Sequence, residues 1–208
     1  MKKKDLKKYL KKITYQLKEE LTKNPYFIIR EGDFQVWLYS ELMKISEFSD
    51  PFYDMFEDPM ARIHAEYPRF KKYRNKPVKI GRYDLVVLRN PKKTEIFYDK
   101  IKDEDRVDLF PSFLGFELKA KWDKTYKRIL KQFSSDIGAF YNKRNQISSD
   151  YGVIFHLNLA SEKIRELDKI QKSMDKYAKK YPHVFMIYLE SYQYNKNKSN
   201  SPNILFSF

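Results

Sequence analysis

Between residues 2 and 23 the apolar positions Leu6, Leu10, Ile13, Leu17 and Leu21 recur at three- and four-residue steps, with lysines on the other faces. That period is helical, and Asn24-Pro25 ends it. A second stripe, Phe34, Trp37, Leu38, Leu42 and Ile45, predicts a helix over about 33–46, and residues 47–61, with Asp50-Pro51 and Asp58-Pro59, read as a loop or a short broken helix. The pattern then changes to near-continuous apolar runs over 63–67, 81–88 and 113–119, which predict strands covered on both faces. The connection over 92–111 is longer than a hairpin needs and contains a candidate edge strand at 94–98. From Asp123, the expected N-cap, helical spacing returns at Tyr126, Ile129, Leu130, Phe133, Ile137 and Phe140. A buried-type strand follows over 151–157, then a helix capped by Ser161 and carrying Ile164, Leu167, Ile170, Met174 and Tyr177, then a strand over 184–189. This order predicts an α/β protein with a mixed central sheet flanked by helices.

Composition narrows the partner more than the fold. The 208 residues carry 42 Lys+Arg against 28 Asp+Glu, a net charge of +14, which favours polyanions: nucleic acid first, an anionic membrane second. With 42% hydrophobic and 17% aromatic residues the chain has too much core material to be disordered. A single domain is expected, divided into a basic N-terminal helix (1–24), a core (25–190) and a polar tail (191–208) whose end, 204–206, docks back or meets another subunit. The absence of cysteine excludes disulfides, thiolate zinc sites and cysteine nucleophiles. There is no apolar segment of membrane-spanning length, no signal-peptide core, and no phosphate-cradling glycine loop. A soluble, cytoplasmic protein without a nucleotide cofactor is expected. The first helix is expected to dock on the core, with a membrane-surface or nucleic-acid-tracking helix as the alternatives.

Candidate chemistry sits in the charged exceptions to the apolar strands: Glu66 in IHAEYP, Asp84 in GRYDLVVL, and Glu117 with Lys119 in FLGFELKAKW. Residues two apart on a strand share a face, so Glu117 and Lys119 project together while Leu118 points the other way. If the Asp84 strand is the neighbour, two carboxylates and an ammonium converge. Mg2+ favours oxygen ligands, keeps several waters and is held by one or two carboxylates plus substrate phosphate. Asp84 and Glu117 would supply the carboxylates and Leu118 a backbone carbonyl, with Mn2+ as a substitute metal. Lys119 would orient the attacking water or stabilise charge on the phosphate.

The Asp84 strand, followed by Glu117-x-Lys119 on the next strand and then a helix, resembles the PD-(D/E)XK phosphodiesterase superfamily. The likeness spans about two-thirds of the chain, from residue 31 to about 157. It implies a restriction-endonuclease-like core (αβββαβ), extended here by an N-terminal helix and a C-terminal helix and strand. It also implies metal-dependent endonuclease activity on DNA, with RNA as the alternative substrate. By the same resemblance an acidic residue on the first core helix, Glu31, and a polar residue on the helix after the Glu-x-Lys strand, Gln132, join the catalytic set, and Glu66 becomes a further metal ligand. Gln35 follows Glu31 by one turn and Asp136 follows Gln132 by one turn. Arg82-Tyr83 stands where the motif's name has proline, and the 92–111 connection is an insertion.

Lys121, Trp122, Lys124, Lys127, Arg128, Lys131 and Arg144 cluster just beyond the site in sequence and suit phosphate contact and base stacking. Enzymes that cut both strands are commonly two-fold dimers, so a homodimer is an expectation whose interface the sequence does not identify. The rival reading is a non-catalytic nucleic-acid-binding protein on the same scaffold. Structural readings also stand beside the catalytic ones: Asp84 pairing with Arg82 or Arg89, Asp33 as a helix cap, and His64, His156 and His183 as hydrogen-bonded strand or loop residues.

Overall fold

A computed structural model describes residues 1–53, 59–73, 76–89, 97–101, 105–109, 112–123, 125–140, 146–147, 149–159, 164–191 and 202–208. Helices α1 (Lys3–Lys23), α2 (Glu31–Met43) and α3 (Ser46–Ser49) lead into a small antiparallel pair, β1 (Phe52–Tyr53) with β2 (Pro59–Met60). Two long strands follow, β3 (Ile63–Tyr73) and β4 (Lys76–Leu88). A separate antiparallel pair, β5 (Phe97–Ile101) with β6 (Asp105–Leu109), precedes β7 (Ser112–Lys121). The chain continues through α4 (Tyr126–Phe140), β8 (Gln146–Ile147), β9 (Tyr151–Asn158), α5 (Leu167–Lys180), β10 (Val184–Glu190) and β11 (Asn203–Ser207).

The result is an α/β architecture with a mixed seven-stranded sheet in the order β11-β10-β9-β7-β4-β3-β8. Strands β3, β4 and β7 form an antiparallel meander, β9 runs parallel to β7, and β10 runs parallel to β9. Helix α4 lies in the β7-to-β9 connection and α5 in the β9-to-β10 connection, as parallel neighbours require. Both pack on one face of the sheet, with Ile129, Phe133, Ile137, Ile170 and Met174 against Val86, Ile154, Met186 and Tyr188. On the other face α1, α2 and α3 pack through Leu10, Leu17, Phe34, Leu38 and Phe48 against Leu85, Phe116, Phe155 and Ile187.

Helix α1 forms as its spacing predicts, and all five of its apolar stripe residues are at most 3% exposed. Its hydrophobic side is part of the core, so the membrane-surface alternative has no apolar face left to insert. No helix of the described residues is long and apolar enough to cross a membrane.

Several elements extend beyond the segments expected from the sequence. Strand β3 continues past Pro68 because it pairs in register with β4 on one side and meets only the two residues of β8 on the other. The expected edge strand at 94–98 lies partly outside the described residues. Its end, from Phe97, belongs to the β5-β6 pair, which is not hydrogen-bonded to the main sheet. The expected N-cap Asp123 is replaced by Thr125, whose carbonyl receives the Arg128 and Ile129 N–H groups at 3.2 and 3.4 Å. Ser161 lies outside the described residues, and α5 begins at Leu167. The end of the expected polar tail docks back as β11, antiparallel to β10.

Candidate active site

Alternation along β7 is the basis of the site. Leu114, Phe116 and Leu118 all enter the core on the α1–α3 side, so Gly115, Glu117 and Lys119 face α4. Among the described residues no β7 side chain joins the apolar cluster on that side. Where a buried strand would normally supply hydrophobic contact, β7 supplies a glycine, a carboxylate and an ammonium.

Asp84 stands opposite Glu117. Strands β4 and β7 pair antiparallel, Val87 with Leu114, Val86 with Gly115 and Leu85 with Phe116, and the next step of that register sets Asp84 against Glu117. Regular pairing stops at that step, and side chains take over the backbone groups. The Asp84 carboxylate accepts the Leu118 N–H at 2.5 Å, and the Lys119 ammonium donates to the Leu118 carbonyl at 2.6 Å. On the other side of β4, Ala65 pairs with Leu85 and Tyr67 with Tyr83, which places Glu66 opposite Asp84. Glu66 has φ of 53°, a left-handed conformation uncommon outside glycine. The Gln35 amide of α2 donates to the Asp84 carbonyl at 2.5 Å and reaches Glu66 Oε1 at 3.5 Å. Strain at Glu66 and borrowed hydrogen bonds at Asp84 mark one interrupted spot in an otherwise regular sheet.

Charge concentrates at this spot. The Lys119 ammonium lies 3.9 Å from both Glu31 Oε1 and Asp84 Oδ2, with the lysine side chain 18% exposed. Glu31 reaches it because Asp33 performs the capping at the start of α2, accepting the Ile29 and Arg30 N–H groups at 3.1 Å each. Burial pushes the Glu31 carboxyl above the ordinary carboxylate range, against the pull of Lys119. Glu117 is buried at 7% exposure. On α4, Asp136 is also buried, and burial raises its carboxyl pKa while Lys119 opposes the shift. The alternative partners of Asp84 are engaged elsewhere: Arg89 with Asp150 at 3.2 Å, and Arg82 with Glu66 at 3.9 Å.

The structure therefore brings together Asp84, Glu117, Leu118, Lys119 and Glu31, with Gln35 bracing Asp84. Glu66 is held at the margin, its side chain 57% exposed and turned to Gln35 and Arg82. Gln132 faces the interior, with its Oε1 buried. Lys121, Trp122, Lys127, Arg128 and Lys131 are exposed along the end of β7 and the start of α4, while Lys124 and Arg144 lie outside the described residues. His64 is a structural residue as its strand position suggests, with Nε2 2.7 Å from the Ala61 carbonyl.

Two residues that sequence reasoning places elsewhere join the same region. Lys119 and His156 are register partners on β7 and β9, and His156 is fully buried. Its Nε2 is 3.5 Å from Asp123 Oδ2. Burial holds the imidazole below its usual pKa, and the neighbouring imidazole holds Asp123 below the usual carboxylate range. Asp123 is fixed by the side chain of Asn158, which accepts its N–H at 3.0 Å and donates to its carbonyl at 3.1 Å. The available signal is a histidine and an asparagine inside an apolar strand.

Oxygen donors suit a hard cation here. Asp84, Glu117 and the Leu118 carbonyl form a set of the size Mg2+ uses when water completes its shell. Carboxylates outnumber the single ammonium, and two of them already resist ionisation, Glu31 because it is half-buried and Asp136 because it is buried. Among the described residues no three His, Cys, Asp or Glu side chains form a cation cage by themselves. No protein-family model, no curated protein and no solved structure matches the chain.

Proposed function

We propose that the protein is a divalent-metal-dependent nuclease of the PD-(D/E)XK type, hydrolysing phosphodiester bonds of DNA. The observation that carries this reading is the Asp84 carboxylate bonded to the Leu118 N–H, between Glu117 and Lys119, just where the β4-β7 ladder ends at Leu85 and Phe116, with the Lys119 ammonium 3.9 Å away. The sequence of elements α2, β3, β4, β7, α4, β9, with β9 parallel to β7 beyond the meander, is the order expected of a restriction-endonuclease-like core.

Asp84, Glu117 and the Leu118 carbonyl would hold Mg2+ or Mn2+, which lowers the pKa of a bound water and neutralises charge on the phosphate. Asp84 is oriented for that work by two fixed groups, the Leu118 N–H on its carboxylate and the Gln35 amide on its carbonyl. Lys119 would act through its field: an ammonium at this end of β7 would stabilise the charge that develops as the water oxygen attacks phosphorus and the bond to the leaving oxygen breaks. Glu31, with its raised pKa, is placed to receive a proton from the attacking water. Lys121, Lys127, Arg128 and Lys131 form a basic margin for the nucleic-acid backbone, and exposed Trp122 supplies a stacking surface. The ring of Tyr126 is covered by the Lys169 ammonium at 4.9 Å, so it serves the fold.

The test is incubation of the purified full-length protein with plasmid and linear DNA in Mg2+, Mn2+ or chelator. Cleavage in either metal, abolished by chelator and by Asp84→Ala, is the expected result. Salt-dependent DNA binding without cleavage in any metal would replace the nuclease with a non-catalytic binding protein.

A further inference from the structure

Between Lys119, α4 and β9 lies a buried group of polar side chains that the proposed chemistry leaves unused. Asp136 Oδ2, Gln132 Oε1, Asp123 Oδ2 and both ring nitrogens of His156 are shut off from solvent; Asp123 Oδ2 and His156 Nε2 face one another at 3.5 Å, while Asp136 Oδ2 meets no hydrogen-bond partner among the described residues. Asp136 and Gln132 are one turn apart on α4 and so share a face. His156 is walled in by Phe133 and Tyr188, with ring centroids at 5.6 and 5.8 Å. Asn158, which clamps Asp123, also donates to the Tyr188 hydroxyl at 3.1 Å, so this wall of the group is rigid. A buried carboxylate oxygen without a donor carries its full desolvation cost, and a cation within reach would offset it. Lys119 is the charge that acts on Asp136 most strongly.

Lys119 itself occupies a position that conflicts with the proposed metal site. Its ammonium donates to the Leu118 carbonyl, the backbone oxygen assigned to the cation. A divalent cation on that oxygen would repel an ammonium bonded to the same atom. Resting on the metal-centre reading above, the geometry points to Lys119 as a two-position side chain: parked on the Leu118 carbonyl in the metal-free protein, and received by the Asp136 carboxylate when a divalent cation takes that carbonyl. Glu31 and Asp84 are the competing acceptors. Asp84 is claimed by the cation, and the Glu31 side chain is 42% exposed, where water weakens its attraction. Asp136 is the buried acceptor with an unpartnered oxygen. Asp136 is therefore a positioning residue, acting on the metal site only through Lys119.

A double-mutant cycle on Mn2+ binding tests this without reference to cleavage. Mn2+ affinity is measured calorimetrically for the full-length protein, Asp136→Asn, Lys119→Met and the double variant. Asp136→Asn is expected to weaken Mn2+ binding roughly tenfold, the size seen when a supporting residue around a metal site is lost. In the Lys119→Met background the same change is expected to have no effect, because no ammonium needs a destination. In Mn2+-soaked crystals Lys119 Nζ is expected within hydrogen-bond distance of Asp136. Equal weakening in both backgrounds would make Asp136 a ligand or a long-range charge and overturn the two-position lysine. So would unchanged affinity in Asp136→Asn, or an ammonium still on the Leu118 carbonyl with Mn2+ bound. Failure of the wild-type protein to bind Mn2+ at all would instead overturn the metal centre, and this inference with it.

Discussion

Asp84 holds its place through two atoms of different kinds. Its carboxylate receives the Leu118 N–H and its carbonyl receives the Gln35 amide, so two separate elements fix one aspartate. Charged residues isolated in apolar strands point to Asp84, Glu117 and Lys119 directly. The same rule does not distinguish Glu190, which also ends an apolar strand and is fully buried, yet binds the Ile164 N–H at 2.9 Å and the Asn203 amide at 3.4 Å in a structural role. His156 and Asp123 are not legible as a pair in the sequence, because 33 residues separate them and only the β7-β9 register brings them together. Two pH effects follow at this scale. An unfolded chain ionises Asp136 near 3.8 while the folded protein does so at higher pH, so folding is penalised as pH rises through that window and fully above it. Asp136→Asn is expected to be more stable than wild type at neutral pH in denaturant titrations, with the difference closing as pH falls below 3.8. His156 has the opposite charge on ionisation and the opposite consequence at low pH. The unfolded chain takes up a proton near 6.5 and the buried imidazole does so only at lower pH, so stability is full above 6.5 and is lost as pH falls below it. Stability of His156→Phe is expected to lose that component of the slope, measured between about pH 5 and 7.

At the scale of elements, β7 decides the chemistry. Its α4-facing positions are withheld from the hydrophobic core, and Gly115 has a packing reason of its own. A Cβ there would stand 2.7 and 2.8 Å from two ring carbons of Tyr83, whose ring stacks on Phe140 at 5.7 Å and whose hydroxyl accepts the Ser149 N–H at 3.3 Å. Gly115→Ala is expected to destabilise by about 1–3 kcal/mol, through overpacking, and to lower activity because Tyr83 immediately precedes Asp84. An unchanged melting temperature would show that Tyr83 can move aside. Helix α1 is legible from periodicity, and its docking settles which side its lysines leave to solvent. Removing residues 1–23 would uncover the core beneath Leu6, Leu10, Ile13, Leu17 and Leu21, so that deletion does not separate partner binding from folding. Leu10→Ala alone is expected to cost about 2–5 kcal/mol by denaturant titration. Strand ends are the least legible feature. The continuation of β3 and β4 beyond the apolar runs comes from their mutual register, and β11 forms because β10 offers it an edge.

Across the whole molecule, the mixed sheet with helices around it follows from the alternation of strand and helix periods, since parallel neighbours such as β7 and β9 need a crossover. The order of strands within that sheet is not written in any local period, because it depends on which edges meet at long range. The +14 charge favours a polyanionic partner without locating its site. The fold holds an acidic, partly buried centre at the opening between β4 and β7, bordered by the exposed cations Lys121, Lys127, Arg128 and Lys131. Hydrolysis of phosphodiester bonds at this centre is the central claim. Its most direct test is the single-turnover rate of DNA cleavage in saturating Mn2+ for the wild type, Glu117→Ala and Lys119→Ala, each shown to be folded and to bind the same DNA. The predicted result is wild-type cleavage and a loss of at least about a hundredfold in both variants. Cleavage at the wild-type rate by folded Glu117→Ala and Lys119→Ala would contradict it.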